Sequence, residues 1–314
     1  MCFLQTLNME EKVFNEVRKQ LEQSVSKNRA YCLLFSGGID SGVLAFLCPQ
    51  AKALSVTFEG EGDDLRYASV LAKDLSLDRQ VITISIQEAL SAVGTVIKIL
   101  ESFDPALPND LVVYFGMREA KRQGLQSIMT GDGGDELFGG YPYMQEIADL
   151  EGYIKRMNRS WSFSANRIGD YFGLEVRQPF LDGDFVEFAV TVPKDLKIRE
   201  ENGNVWGKWC LRKAFEPFLS PDFIWQPKRP LEQGSGMTNL RSIIAERITD
   251  NEFAEKQKQY GVKFLCKEHL YFYEIYREEF GDVPPPRSGE DRCPGCGGGL
   301  PRGKRHCKIC GAVL

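Results

Sequence analysis

The chain has 314 residues, a hydrophobic fraction of 43% and a formal net charge of −5. This length and composition are typical of a globular protein of roughly two domains, which needs no disulfide framework to fold. The negative charge argues against extensive electrostatic wrapping of nucleic acid, and no apolar run is long enough to predict a membrane-spanning helix.

The N-terminal half alternates between predicted helices and strands. A four-residue apolar spacing predicts an amphipathic helix over residues 9–27, with Val13, Val17, Leu21 and Val25 on one face. Short apolar runs predict strands at residues 31–35, 53–58, 81–86 and 126–130, with helices around 64–77, 86–102 and 110–123. Such alternation predicts a parallel sheet with right-handed crossovers.

The second half is predicted to be mostly helical. Helices are expected near residues 184–190, 206–218 and 240–249, and the aromatic residues of 264–280 have the spacing of a buried helix face. The proline-rich residues 283–289 indicate a linker. We therefore divide the chain into a main domain at 1–282, a linker at 283–289 and a small C-terminal domain at 290–314.

The segment after the first predicted strand is rich in groups that bind phosphate: Ser36, Gly37, Gly38, Asp40 and Ser41. Two glycines allow the backbone to approach an anion closely, and the helix that follows offers unpaired N–H groups and a positive dipole end. Asp40 is suited to hold Mg²⁺ that bridges phosphate oxygens. The segment lacks the lysine of a Walker A loop.

A second loop, after the fourth predicted strand, carries acidic residues among glycines: Thr130, Gly131, Asp132, Gly133, Gly134, Asp135 and Glu136. Ligands bind beside the carboxyl ends of strands in open α/β sheets. Three carboxylates within five residues would repel one another, and Mg²⁺ carried by nucleotide phosphates would relieve that repulsion.

Together the two loops resemble the synthetase domain of the asparagine synthetase family, a class that includes β-lactam synthetase. Residues 176–182 (VRQPFLD) look like its R-x-P-F-L-D segment, and residues 208–215 (KWCLRKAF) look like its K-x-x-L-R helix. Residues 225–230 (WQPKRP) and 233–236 (QGSG) look like its lysine-bearing segment. The likeness runs in order over about residues 10–250.

The resemblance implies a doubly wound parallel sheet of the adenine nucleotide alpha-hydrolase type, joined to a helical subdomain. It implies that ATP adenylates a carboxylate, releasing pyrophosphate, and that ammonia then displaces AMP to form an amide. Residues 36–41 would hold the pyrophosphate portion of ATP. The other implied roles are adenine and ribose contacts for Phe35, Val56, Thr130 and Gly131, Mg²⁺ ligation for Asp40 and Asp135, and charge stabilisation for Lys228.

Two features depart from the family pattern. Asp132 stands where the family has glutamate, and we expect it to transfer a proton to or from the nucleophile. The family's glutaminase domain would need on the order of 150–200 residues before the phosphate-binding segment, whereas 35 residues precede Ser36. Cys2 follows Met1, where a glutaminase nucleophile would sit, but no surrounding fold is expected to activate its thiol. We expect the chain to use free ammonia, a separate glutaminase subunit or another nucleophile.

The C-terminal residues contain two C-x-x-C pairs, formed by Cys293, Cys296, Cys307 and Cys310. Four thiolates on two tight turns predict a closed Zn²⁺ ribbon, with an iron–sulfur cluster or free thiols as alternatives. The remaining cysteines lie in apolar surroundings, which favours reduced thiols and a cytoplasmic protein. His306 is given no ligand role, and with His269 it completes a histidine inventory too small for a multi-histidine metal centre.

Three functions remain open from the sequence. The first is the AMP-forming amide ligase, acting on a small carboxylate that the resemblance suggests is aspartate, with ATP, Mg²⁺ and Zn²⁺. The second is a tRNA-modifying sulfur or amide transferase that adenylates a nucleobase. The third is a nucleotide-gated RNA-binding or scaffold protein. An RNA contact through the ribbon would use its basic residues, which are Arg302, Lys304, Arg305 and Lys308.

Overall fold

The computed structural model describes residues 2–201, 203–304 and 306–313, and of residues 2–8 the backbone only. The strands are β1 (Cys32–Leu34), β2 (Lys52–Phe58), β3 (Arg79–Ile84), β4 (Ser127–Met129), β5 (Glu175–Arg177), β6 (Ile198–Glu201), β7 (Asn204–Gly207), β8 (Glu290–Arg292) and β9 (Gly299–Pro301).

Helices surround and connect these strands. In the first half of the chain they are α1 (Cys2–Lys27), α2 (Ile39–Leu47), α3 (Asp64–Asp74), α4 (Ile86–Leu100), α5 (Leu107–Arg122), α6 (Gly134–Phe138) and α7 (Leu150–Met157). They continue with α8 (Ser164–Phe172), α9 (Gly183–Thr191), α10 (Lys194–Lys197), α11 (Trp209–Phe215), α12 (Pro221–Ile224), α13 (Leu231–Gly234), α14 (Asn239–Ala245), α15 (Asp250–Gln259) and α16 (Lys267–Phe280). Short 3₁₀ turns lie at Pro142–Glu146, Asn158–Ser160 and Pro179–Leu181.

Five strands form one sheet in the order β3-β2-β1-β4-β5. β1 pairs in parallel with both β2 and β4, and β4 pairs in parallel with β5. The predicted doubly wound parallel sheet is therefore confirmed. The strand order reverses between β1 and β4, and in this class of fold ligands bind at the carboxyl ends of the strands at that point. The two loops singled out in the sequence follow β1 and β4.

The chain divides into two compact units. Unit 1 comprises Met1–Ser55, Asp64–Val81 and Gly116–Arg229, and unit 2 comprises Val56–Asp63, Ile82–Phe115 and Pro230–Leu314. The boundaries predicted at 282 and 289 lie within unit 2, and they stay predictions. No helix of the described residues has the length and apolar character needed to cross a membrane.

In unit 1 the amphipathic helix α1 packs against α9 and α11. The predicted apolar stripe is confirmed, because Val17, Leu21 and Val25 are buried in the core of this unit. The helix itself begins at Cys2, earlier than predicted. Its buried stripe would contribute about 1.5–3 kcal/mol for each large apolar side chain.

In unit 2 the aromatic helix α16 packs against α4 and α14. Phe272, Tyr273 and Tyr276 are buried, so the predicted aromatic core is confirmed. His269 lies in the same core beside the rings of Phe103 and Phe264.

His269 gives this core a pH dependence. Burial lowers its pKa to about 4, although Asp104 and Glu268 oppose the shift. Its Nδ1 accepts a hydrogen bond from the Leu265 N–H at 3.2 Å, while its Nε2 has no partner among the described residues.

Because the folded-state pKa lies below the unfolded value, stability is fully present above pH 6.5 and is lost as the pH falls towards 4. The loss that this residue contributes is at most about 3 kcal/mol. A His269→Asn variant keeps an acceptor for Leu265. Its free energy of unfolding, measured by chemical denaturation from pH 7 to pH 4, should fall less steeply with pH than that of the unmodified chain. Acid weakens any thiolate–metal site in both proteins alike, so the difference between them isolates His269. Parallel slopes would refute the assignment.

Two sequence predictions need correction, and one strand was missed. The strand predicted at 81–86 lies at Arg79–Ile84. The strand β5 was not predicted, because its three residues, Glu175–Arg177, have charged residues at both ends and form no apolar run. The helix predicted at 206–218 begins only at Trp209, and β7 pairs antiparallel with β6 instead.

The late start of α11 has a local cause. Lys208 has φ of 58°, in the left-handed region. A Cβ on Gly207 would lie 2.3 Å from the carbonyl oxygen of Gly139, so the chain approaches another backbone closely there. Both features interrupt a right-handed helix.

Candidate functional site

The phosphate loop, residues 36–41, joins β1 to α2. Gly37 has φ of +90°, and a Cβ there would lie 2.7 Å from the carbonyl oxygen of Asp64, so the position requires glycine. The Ser36 and Ser41 hydroxyls lie 3.1 Å apart, and the Gly38 N–H donates to Ser36 Oγ at 3.2 Å. The predicted strand–turn–helix arrangement is confirmed, and it presents a helix N-terminus at the switch point.

The acidic loop, residues 130–136, joins β4 to α6 and packs directly on the phosphate loop. A Cβ on Gly131 would lie 3.0 Å from Asp40 Cβ, and a Cβ on Gly134 would lie 2.5 Å from Asp40 Oδ1. Side chains at these positions would push the two loops apart. The glycines therefore allow carboxylates from the ends of β1 and β4 to share one site.

Asp40 and Asp135 meet two lysines, and we call these four residues the charge cluster. The Lys208 Nζ lies 2.5 Å from Asp40 Oδ2 and 2.7 Å from Asp135 Oδ1, and the Lys228 Nζ lies 3.0 Å from Asp135 Oδ2. The Lys208 side chain is 4% exposed, whereas that of Lys228 is 33% exposed. The charges of two carboxylates and two ammonium groups thus balance within one site.

Mutual attraction favours the charged forms of Asp135 and Lys208, whereas burial raises the pKa of Asp40 although Lys208 opposes the shift. Burial alone would raise the pKa of Asp135, but Lys208 and Lys228 bring it below its usual value. Burial alone would lower the pKa of Lys208, but Asp135 and Asp40 raise it above its usual value. An opposite charge at these distances favours the ionised form of each partner.

Lys208 is the functional candidate that the sequence reasoning missed. Lys208 belongs to the segment that resembles the family's K-x-x-L-R helix, but the resemblance implied no role for it. Its distance of 168 residues from Asp40 conceals the contact. The signal that could have found it is a lysine at the start of a helix whose other residues are mostly apolar.

The carboxylates also fit the Mg²⁺ that the resemblance implies. Asp40 Oδ1 is buried and accepts no hydrogen bond from the described residues, so it offers an oxygen ligand that the lysines leave available. Carboxylate oxygens are the protein ligands that Mg²⁺ prefers alongside substrate phosphates. Asp40 and Asp135 would share that ion with the phosphates.

Asp132 lies in a separate polar environment within the acidic loop. Its Oδ2 accepts hydrogen bonds from Thr130 Oγ1 at 2.7 Å and from Gln178 Nε2 at 2.8 Å. Burial raises the pKa of Asp132, although these two hydrogen bonds oppose the shift. A raised pKa makes this carboxylate a stronger base, which suits a group that exchanges protons with a substrate.

Glu136 occupies a third environment in the same loop. Burial raises the pKa of Glu136 to about 7, and Tyr141 Oη donates to its Oε1 at 2.8 Å. The acidic loop therefore holds carboxyl groups of different ionisation, since the pKa of Asp135 is lowered while those of Asp132 and Glu136 are raised.

The structure places the remaining candidates differently. The Phe35 side chain is fully buried in the core of unit 1, and its carbonyl oxygen accepts a hydrogen bond from Ser55 Oγ. Val56 is buried on β2 and belongs to unit 2. The nucleotide contacts implied for both residues stay predictions.

A cavity of about 210 Å³ lies beside the charge cluster in unit 1. Its lining comprises Gly140, Asn204, Val205, Trp206, Gly207, Lys208, Arg212, Pro227 and Lys228. The two lysines and the indole in this lining suit a small anionic molecule.

In unit 2 the four cysteines of the C-x-x-C pairs come together in what we call the cysteine cluster. Their Sγ atoms all lie within 4.8 Å of one another, with Cys293–Cys310 at 3.7 Å and Cys296–Cys307 at 3.8 Å. A tetrahedral Zn²⁺ with Zn–S bonds of about 2.3 Å places its sulfurs about 3.8 Å apart. The donor set therefore fits one tetrahedral ion, and an iron–sulfur cluster, which carries several metal ions between the sulfurs, would need more room.

The cysteine cluster is bonded to the rest of unit 2 through the loop before α5. The Phe103 N–H donates to the carbonyl oxygen of Ile309 at 2.8 Å, and His306 Nε2 lies 3.2 Å from Asp104 Oδ2. The Lys263 N–H donates to the carbonyl oxygen of Gly295 at 2.8 Å. His306 thus pairs with a carboxylate and stands outside the cysteine cluster.

The basic residues of the ribbon are only partly described. Arg302 lies 3.9 Å from Asp291, and Arg305 and the side chain of Cys2 lie outside the described residues. The contact with RNA stays a prediction.

The fold and the site geometry define a doubly wound α/β protein with a Gly-Gly loop and an acidic loop at its switch point. The family model for asparagine synthase matches residues 16–166 and 153–270. The chain belongs to the asparagine synthase family.

Curated relatives agree with this assignment. The probable glutamine-hydrolyzing asparagine synthetase of Schizosaccharomyces pombe is 28% identical over 84% of this chain and 55% of its own length. The glutamine-hydrolyzing asparagine synthetase B of Escherichia coli is 26% identical over 90% of this chain and 56% of its own length. The chain spans about half the length of these relatives.

Solved structures give weaker similarities. The U34-tRNA thiolase NcsA of Methanococcus maripaludis with its [4Fe-4S] cluster is 11% identical, with 87% of this chain and 82% of that chain covered and a TM-score of 0.30. The NMN synthetase of Francisella tularensis is 14% identical, with coverages of 89% and 98% and a TM-score of 0.31. Scores this low carry no argument about function.

Proposed function

We propose that the chain is an AMP- and pyrophosphate-forming amide ligase that adenylates a small carboxylate, with aspartate as the first candidate, and transfers ammonia to it. The observation that carries this proposal is the charge cluster, which assembles Asp40, Asp135, Lys208 and Lys228 at the switch point. Family membership supports it.

The chemistry has two steps. A carboxylate oxygen of the acceptor attacks the α-phosphorus of ATP, and the bond from that phosphorus to the bridging oxygen breaks to release pyrophosphate. Ammonia then attacks the acyl carbon and displaces AMP, leaving an amide and a proton.

The chain's own residues suit the first step. Residues 36–41 would bind the β- and γ-phosphates through backbone N–H groups and the two serine hydroxyls. Lys228 and Lys208 would stabilise the negative charge that develops on the departing pyrophosphate, since fixed cations in a partly buried site act most strongly there. Bound Mg²⁺, held by Asp40 and Asp135, would supply further charge neutralisation.

Asp132 suits the second step. Its raised pKa lets it accept the proton that the attacking nitrogen loses. Thr130 and Gln178 hold one of its oxygens, which fixes the orientation of the carboxyl group.

The direct test is the product set. Purified protein with Mg²⁺, ATP, aspartate and ammonium should release AMP and pyrophosphate in equal amounts, together with asparagine, and an Asp40→Asn variant should not. Formation of ADP and phosphate would contradict the proposal. Release of AMP and pyrophosphate only when other carboxylates replace aspartate would keep the reaction and change the substrate.

One observation favours a second candidate, a tRNA-modifying transferase. The cysteine cluster sits in a ribbon whose sequence carries Arg302, Lys304, Arg305 and Lys308. Unmodified tRNA in place of aspartate should then stimulate pyrophosphate release, and a chain that responds to aspartate but not to tRNA would exclude this candidate.

A further inference from the structure

The lysine loop, residues 225–229, contains Lys228. Gln226 and Arg229, on either side of it, both form hydrogen bonds with other parts of unit 1. The buried Arg212 donates from Nη1 to the carbonyl oxygen of Gln226 at 3.1 Å and also to that of Ile224. Pro227 restricts the backbone that follows. The chain that leads into Lys228 is therefore fixed in place.

The Gln226 side chain joins the lysine loop to the phosphate loop. Its Nε2 donates to the carbonyl oxygen of Gly37 at 3.0 Å, and its Oε1 accepts from Arg229 Nη2 at 2.9 Å. Gln226 is 4% exposed, so these bonds form away from water. Removing them would leave buried polar groups without their present partners.

Arg229 completes the connection at the start of α3. Its Nε lies 2.7 Å from Asp64 Oδ1, with side chains 11% and 7% exposed, and its guanidinium lies 4.8 Å from the centre of the Tyr67 ring. The carbonyl oxygen of the same Asp64 abuts Gly37. Gly37, Gln226, Arg229 and Asp64 thus form a closed set of contacts around the phosphate loop.

We infer that Gln226 and Arg229 are positioning residues that couple occupancy of the phosphate loop to the placement of Lys228, an inference that rests on the proposed function. Phosphates bound at residues 36–41 would contact the Gly37 peptide and fix its position. Because Gln226 is hydrogen-bonded to that peptide, the segment that contains Lys228 would be fixed with it. Displacing a catalytic group by about 1 Å can cost about 10²-fold in rate. Both residues act through Lys228, whose Nζ reaches the charge cluster.

The activity test is a double-mutant cycle. With Mg²⁺, ATP, aspartate and ammonium, Gln226→Leu and Arg229→Ala should each lower pyrophosphate release by about 10–100-fold, while the Kd for ATP changes less than about 3-fold. In a Lys228→Met background the same substitutions should lower pyrophosphate release by less than about a further 2-fold. Arg229→Lys should recover part of the rate.

Arg122→Ala is the matched control. It removes an exposed arginine that pairs with the largely buried Glu119 in the same unit, and it should leave the rate unchanged. Equal losses in the Lys228 and Lys228→Met backgrounds would overturn the inference, as would a loss of ATP affinity in proportion to the loss of rate.

A binding test does not depend on the acceptor. Hydrogen exchange of residues 223–234 is measured with Mg²⁺ and α,β-methylene-ATP, and the nucleotide should slow exchange there in the unmodified chain. In Gln226→Leu and Arg229→Ala it should bind without slowing exchange, whereas protection equal to that of the unmodified chain would refute the coupling. If the proposed reaction is wrong, pyrophosphate release will be absent from every protein, but the hydrogen-exchange result will still test the coupling. Should either variant melt at a lower temperature, Arg229→Lys provides the comparison in a folded chain.

Discussion

Replacing Lys228 with methionine is expected to lower pyrophosphate release by about 10²–10³-fold and to change the affinity for ATP much less. The substitution keeps most of the length of the side chain and removes the cation. Lys228 is 33% exposed on a loop, so the variant should fold and melt near the temperature of the unmodified chain. Rates, nucleotide binding and a melting curve check this expectation together.

Asp40→Asn is the companion variant, and it should weaken ATP binding as well as abolish product formation. It keeps the shape of Asp40 but removes the charge that would hold Mg²⁺, so binding of ATP with Mg²⁺ should weaken. The Lys208 Nζ also loses one of its two carboxylate partners. Near-normal turnover in folded Lys228→Met protein would show that the lysine role implied by the family does not transfer to this chain.

Lys208→Met provides a contrast that separates catalysis from stability. Lys208 is almost fully buried between Asp40 and Asp135, so its removal leaves two carboxylates facing each other. Breaking a buried charge pair in this way costs about 3–5 kcal/mol of folding stability. A lower melting temperature for Lys208→Met, beside an unchanged one for Lys228→Met, would distinguish the two lysines.

Local patterns predicted the framework of the site. The phosphate loop could be recognised because glycines, serines and an aspartate directly follow an apolar strand, and those residues are neighbours both in sequence and in space. The acidic loop was found for the same reason. Their meeting follows from strand order, since β1 and β4 are adjacent in the sheet.

The rest of the site depends on contacts that no local pattern reveals. Gln178 reaches Asp132 across 46 residues, and Gln226 reaches Gly37 across 189. A lysine, glutamine or arginine in isolation is most often a solvated side chain, and only burial gives these ones a specific partner. The family resemblance indicated Lys228, but it did not indicate which residues hold Lys228 in place.

The helix predicted at 206–218 illustrates how tertiary contacts override local propensity. Trp206 fits a helical spacing, yet it lies in β7, which pairs antiparallel with β6. The left-handed conformation of Lys208 then directs its side chain to the charge cluster. The interruption of the helix and the position of a candidate functional group have the same structural origin.

Loss of the cysteine cluster is expected to have the second large effect. Purified protein should contain about one zinc per chain, and Cys296→Ser or Cys310→Ser should abolish it, because four thiolates at tetrahedral spacing bind far more tightly than three. Cys266→Ser is the matched control in the same unit, since this cysteine lies outside the cluster. Protein purified without chelators that carries no zinc would rule out the assignment.

The energetic consequence should appear in unit 2. Metal binding free energy adds to folding free energy wherever the ligands are unorganised in the unfolded chain, so zinc loss should lower the melting temperature by about 5–10 °C. The Phe103–Ile309 hydrogen bond and the His306–Asp104 pair connect the cysteine cluster to the loop before α5, so this loop should become more mobile when the metal is lost.

The charge cluster belongs to unit 1, so truncation after Pro286 should leave ATP binding intact even though the protein melts at a lower temperature. Loss of ATP binding in a truncated chain that is still folded would instead make the ribbon part of the nucleotide site.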